Sequence, residues 1–144
     1  MYNVYNGSEF AVIDGSDVYD WFEIKTGIKQ GCCMSSFLFL PIMAWVTRRT
    51  TTHGNTGIRW KFSSFMEDLD FAYDLTLISG KREHIQTKVN SLGGYRKMRC
   101  LKISKSKTVM MRWNSPTSGK IQVDGEELEE VLTFVYLGAT VTQK

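Results

Sequence analysis

The apolar run in Glu9-Phe10-Ala11-Val12-Ile13 has strand character, and Trp21-Phe22-Glu23-Ile24 alternates apolar and polar positions, with Asp14-Gly15-Ser16 between the two runs. A period of two places successive side chains on opposite faces of a strand, and Asp-Gly is turn chemistry, so the pattern predicts an opening β-hairpin. Thr26-Gly27 and Gln30-Gly31 then punctuate a loop. From Ser35 or Ser36, either a natural N-cap, the positions are apolar almost without interruption to about Thr47, which predicts a helix buried nearly all round. Pro41 stands inside it. There it removes one backbone hydrogen bond and clashes with the preceding turn, at roughly 3 kcal/mol, so the helix is expected to be kinked or broken. Arg48-Arg49 and the threonines to Thr52 close it, and Gly54 to Gly57 form a loop.

Ile58-Arg59-Trp60-Lys61-Phe62 alternates and predicts a strand. Leu69 and Phe71 on one side of Ala72-Tyr73, with Leu75 and Leu77 on the other, predict a tight hairpin with Asp74 at its tip. Ile85, Val89 and Leu92 recur at helical spacing, which predicts an amphipathic helix from about Glu83 whose last turns are weakened by Gly93-Gly94. Leu101 to Met111 reads as a strand with a basic turn around Ser104-Lys105-Ser106. Lys120 to Val123, the turn at Asp124-Gly125, and Phe134 to Leu137 add further β structure.

Composition narrows this to one class. A chain of 144 residues with 42% hydrophobic content can bury the core of a single domain, spanning 1–144. Its longest apolar run, Phe37 to Val46, falls short of the roughly 20 residues that span a bilayer, and the first residues are not of signal-peptide type. We therefore expect an intracellular protein with no membrane partner. Cys32, Cys33 and Cys100 make neither a disulfide framework nor a zinc pair, and His53 and His84 have no partners at ligand spacing. The net charge is only +3, but it is unevenly placed. Arg96, Lys97, Arg99, Lys102, Lys105, Lys107 and Arg112 form a block without acids, and Asp124 to Glu130 holds five acids without a base. Charge alone leaves two readings open: a surface for phosphates, or a solvated basic face beside an acidic one.

Four further segments set the hairpin in a context. Thr26-Gly27-Ile28-Lys29-Gln30-Gly31-Cys32 is followed by Ser35-Ser36-Phe37-Leu38-Phe39; Glu67-Asp68-Leu69-Asp70-Phe71-Ala72 leads into the hairpin; Leu101-Lys102-Ile103 to Lys107-Thr108 and Phe134-Val135-Tyr136-Leu137-Gly138 come after it. In this order the five segments resemble the palm of a reverse transcriptase of the non-LTR retrotransposon kind, from about Asp20 onward. The resemblance implies an α+β fold: a partial polymerase palm, with an antiparallel sheet, two packing helices and the start of the palm-thumb boundary. It implies an ancestral RNA-directed DNA polymerase, a nucleotidyltransferase with Mg2+ as cofactor, and an RNA template, a DNA primer and dNTP as partners. Gln30 and Gly31 would face the nucleotide, Asp74 would hold metal, and Lys107 would assist phosphate departure. Arg96, Lys97, Arg99, Lys102 and Lys105, with Tyr136, Leu137 and Gly138 of the primer-gripping segment, would contact nucleic acid.

The departures are as informative. The family carries two adjacent aspartates at the hairpin, and here Tyr73 occupies the first position. One carboxylate facing a divalent cation at about 4 Å, in an effective dielectric near 20, contributes roughly 8 kcal/mol before desolvation, and a neutral phenol contributes none of it. The family's first metal-binding aspartate precedes the Gln-Gly segment, and Asp14, Asp17 and Asp20 do not supply its pattern. Ser36, Pro41, Cys100 and Ser104 also replace the residues usual there. The expectation is a truncated, degenerate palm fragment, inactive by itself. The alternatives are a non-catalytic nucleic-acid-binding or interaction module using the basic block, and a translated relic without function.

Overall fold

The computed structural model describes residues 7, 9–23, 32–52, 54–114 and 119–143, and the chain divides into two compact units, 1–39 and 40–144. In the first unit β1 (Glu9–Phe10), β2 (Ile13–Asp14), β3 (Asp17–Val18) and β4 (Phe22–Glu23) form nested antiparallel pairs, β1 with β4 and β2 with β3. Gly15 turns the chain at φ +63°, which glycine adopts without steric cost. The predicted opening hairpin is present.

Helix α1 (Cys33–Thr51) starts before Ser35 and continues past Thr47. The amides of Ser35 and Ser36 both donate to the Cys32 carbonyl, so the cap lies upstream of the expected serines. At the other end Thr50 Oγ1 donates to the Val46 carbonyl at 2.9 Å and Thr51 Oγ1 to Thr47 at 3.1 Å, so the threonines extend the helix. The helix is not broken at Pro41, and the expectation of burial all round is overturned. Ser35, Phe39, Val46 and Thr50 form one buried stripe, while Phe37 is 73% exposed and Met34 and Leu40 are also exposed. One side of a helix can be covered by one neighbour. Within the second unit α1 meets α2 (Arg82–Met98) at the half-buried Trp45, which faces Tyr95 edge to face with ring centroids 5.7 Å apart, and Arg99 just beyond α2 lies over the Trp45 ring.

The rest of the second unit is built from short ladders. Hairpins join β5 (Ile58–Lys61) to β6 (Ser64–Met66) and β7 (Asp68–Phe71) to β8 (Asp74–Leu77). After α2 come a 3-10 turn (Lys105–Lys107), β9 (Val109–Met110), β10 (Gln122–Val123), β11 (Glu126–Glu127), β12 (Glu129–Glu130), β13 (Thr133–Tyr136) and β14 (Ala139–Thr142). β10 pairs with β11 and β13 with β14, both antiparallel, while β9 and β12 run parallel. Among the described residues the fold is α+β with two α-helices. The expected antiparallel sheet is replaced, among the described residues, by separate two-stranded ladders, one of them parallel.

Two local causes account for this. Tight turns at Asp124-Gly125 and Leu137-Gly138, each with two residues at positive φ, are type I′ and pair β10 with β11 and β13 with β14 as local hairpins. Gln86 of α2 also takes the place of a neighbouring strand. Its Nε2 donates to the Gln122 carbonyl and its Oε1 accepts from the Gln122 amide, both at 2.9 Å. The expected strand over Leu101–Met111 shrinks to β9 for a similar reason. The Ser104 and Lys105 carbonyls accept from the amides of Lys107 and Thr108, and the Thr108 hydroxyl donates to Ser104 at 2.7 Å, which closes a local turn.

The core gathers Val89 of α2 with Ile121 and Val123, packed against Leu77, Ile85, Ile103, Met110 and Leu128. Beside it Lys88, only 2% exposed, reaches the base of the β7–β8 hairpin. Its Nζ donates to the carbonyls of Glu67 (3.0 Å) and Ile78 (2.5 Å) and pairs with Glu67 Oε2 at 2.5 Å. Replacing one partner of a buried pair strands the other, so Lys88→Met is expected to lower unfolding stability by about 3–5 kcal/mol. Urea denaturation of Lys88→Met, Glu67→Leu and the double variant checks this. The double variant should be more stable than Lys88→Met alone, since it no longer buries a lone carboxylate.

Candidate functional site

The β7–β8 hairpin turns through Ala72 and Tyr73, with φ positive at Ala72 (+52°) and not at Tyr73, as in a type II′ turn. Alanine in this region costs about 1–2 kcal/mol, so the flanking pairs must hold it there. They are Phe71 with Asp74, Asp70 with Leu75, Leu69 with Thr76, and Asp68 with Leu77. Directly paired residues share a face, and faces alternate along a strand. Asp74 therefore shares a face with Phe71, and Asp68 and Asp70 belong to the opposite one. Asp74 and Tyr73 are exposed, Leu77 packs against the core, and Leu75 is half-buried.

Tyr136, from the far end of the chain, joins this hairpin electrostatically. Burial, and then the charges of Asp70, Asp74 and Asp68, push its phenol above the ordinary tyrosine value. The structure thus brings one residue of the Phe134–Gly138 segment within the field of the hairpin's carboxylates. Leu137 and Gly138 form the exposed turn between β13 and β14.

The other residues singled out from the sequence are dispersed. Gln30 and Gly31 lie outside the described residues. Lys107 is exposed in the 3-10 turn, and among the described residues no hydrogen bond or ion pair joins it to the hairpin. The basic block is largely engaged with the acidic run. Arg96, buried, pairs with Asp124, and Lys97 reaches the same carboxylate at 3.2 Å. Lys105 pairs with Glu126 at 2.5 Å and Arg112 with Glu130 at 2.9 Å. Arg99 lies with its guanidinium 4.4 Å from the Trp45 ring centroid, and Lys102 is exposed. The Asp124 carboxyl is held below the usual aspartate value, first by the hydrogen bond from Lys97 and also by the charge of Arg96.

A two-cation centre needs carboxylates that converge on one point. Among the described residues no three His, Cys, Asp or Glu side chains do so, and the hairpin register sends Asp70 and Asp74 to opposite faces. The donor set present, one aspartate beside a tyrosine, does not fit such a centre. No protein-family model matches the chain, and no curated protein matches it.

Sequence reasoning missed the residues that position the hairpin. Thr56 donates to Glu67 Oε2 at 2.8 Å, and Ser79 donates to the Thr56 carbonyl at 2.6 Å. Gly57 packs so closely that a Cβ would come 2.0 Å from the Met66 carbonyl oxygen. Lys88 sits between Ile85 and Val89 at the margin of the apolar stripe, where helical periodicity allows a long side chain to turn either way.

The two acids at the hairpin base respond to pH in opposite senses. Burial pushes Glu67 up, but Lys88, the Gly57 amide and the Thr56 hydroxyl outweigh it and hold Glu67 below its ordinary 4.5. Its stabilising contribution is complete above 4.5 and is lost as pH falls through the lower folded value. Burial, then the charge of Asp70, raises Asp68 above 3.8, so its ionisation opposes folding and the opposition disappears below 3.8. Asp68→Asn should therefore raise the melting temperature by a few degrees near neutral pH. The gain should shrink on acidification and vanish below 3.8, as thermal melts across a pH series would show.

Proposed function

We propose that this chain is a fragment of a non-LTR retrotransposon reverse transcriptase palm that does not itself catalyse nucleotidyl transfer. The observation that carries the reading is the hairpin: a two-residue turn, Ala72-Tyr73, between paired strands, with Asp74 opening the second strand. This is the element that the five ordered sequence segments lead one to expect at this place. The effect of the hairpin's aspartates on the Tyr136 phenol adds support, because the two segments are far apart in the chain.

The silence follows from the donor set. Two-metal nucleotidyl transfer uses the cations to activate the attacking hydroxyl and to neutralise the transferring phosphate. At the hairpin Asp74 could hold one divalent ion weakly, Tyr73 brings no negative charge, and Asp70 belongs to the other face. A binding module acting through Arg96–Arg112 has less support, because four of its seven cations are paired with carboxylates.

Primer extension on an RNA template tests the reading. The chain should give no extension above a no-enzyme control with magnesium or manganese. A chimera carrying residues 20–144 behind the fingers and first palm strand of an active relative should also stay inactive unless Tyr73→Asp is introduced. Extension by the unaltered chain that is lost in Asp74→Ala would overturn the proposed silence.

A further inference from the structure

The β5–β6 hairpin carries two exposed aromatic rings close together in the chain, one of them the most exposed of the large apolar side chains among the described residues. Phe62 at its tip is 97% exposed and Trp60 63%, with Ile58 and Phe65 partly exposed beside them. A register shift between Arg59 and Lys61 leaves Trp60 as the extra residue of a bulge, a feature that re-aims side chains at sheet edges. Arg59 donates to the Phe62 carbonyl at 2.7 Å, which ties its guanidinium to the tip. Neither Arg59 nor Lys61 has a carboxylate partner among the described residues, whereas Lys88, Arg96, Lys97, Lys105, Arg112 and Lys120 all have one.

We infer that this hairpin tip is a contact for single-stranded nucleic acid, with Trp60 and Phe62 as stacking surfaces and Arg59 and Lys61 as phosphate contacts. The occupant is chosen by charge and shape together. Two uncompensated cations call for an anion, and two flat rings at an exposed tip call for a ligand that has flat faces of its own. Unpaired bases on a phosphate backbone supply both, and stacking tolerates any base sequence. An anionic lipid surface would satisfy the cations, but its affinity scales with buried apolar area, and a four-residue strand offers little. The site is separate from the Arg96–Arg112 block and from the β7–β8 hairpin, so it stands whether or not the chain descends from a polymerase.

The test is fluorescence anisotropy of a labelled oligothymidylate titrated with the full chain at several salt concentrations. Trp60→Ala with Phe62→Ala should weaken binding by about one to two orders of magnitude, the range measured for loss of base stacking. Arg59→Gln with Lys61→Gln should make the slope of log affinity against log salt shallower by about 1.4, from two phosphate contacts on a single strand. Trp60→Phe keeps a ring and should keep most of the affinity. Phe62→Ala alone changes a side chain that the fold does not bury, so its loss of affinity cannot come from unfolding. No binding at low salt would overturn the inference, as would binding unaffected by the tip variants but lost in Lys97→Gln with Lys105→Gln. Binding to phosphatidylserine vesicles through the tip, with none to the oligonucleotide, would assign it to lipid instead and equally overturn the inference.

Discussion

The organisation of the second unit depends on the ammonium group of Lys88. A lysine head has three N–H donors and no acceptor, and in a buried place each donor needs a partner. Here the partners are the Glu67 carboxylate, the Glu67 carbonyl and the Ile78 carbonyl. Glu67 precedes β7 and Ile78 follows β8, and the Ile78 amide donates to Glu67 across the same base. One side chain of α2 therefore fixes where both strands of the hairpin begin and end. Thr56 and Ser79 extend the network to the loop before β5, where Gly57 alone fits against the Met66 carbonyl.

Such a clamp matters because the strands have little else. A two-stranded hairpin is marginal by itself in water, and among the described residues every ladder is two-stranded. The core that α2 provides is small, with Val89, Ile121 and Val123 as its buried residues. Polar bonds from α2 supply the positioning that a wider sheet would otherwise provide: Lys88 at β7–β8, Gln86 at Gln122 and Arg82 at the Lys120 carbonyl. Many apolar side chains remain exposed as a result, at Phe37, Trp60, Phe62 and Phe71 among others.

Charge is redistributed by the same folding. Exposed ion pairs contribute little to stability, about 0–1 kcal/mol each. Their larger effect here is to cancel potential: the acidic run from Asp124 to Glu130 returns to the basic block and neutralises much of it. Cations that looked unremarkable in sequence, Arg59 and Lys61, keep their charge uncompensated beside exposed rings.

By itself the sequence determined the local elements. The turns at Gly15 and Asp124-Gly125, the hairpin around Ala72-Tyr73 and the helix carrying Ile85 and Val89 depend on backbone preference and periodicity within a few residues, so they could be read directly. That the turn sets a single carboxylate, Asp74, beside Tyr73 was legible in the same way, directly from the residue types. What pairs with what was decided only in three dimensions. The burial of Lys88, the neutralisation of Arg96, the effect of the hairpin's aspartates on the Tyr136 phenol and the shrinking of the expected sheet into separate ladders join residues far apart in the chain. Long charged side chains can turn to solvent or to a partner with equal local ease, and only the partner's position chooses between them.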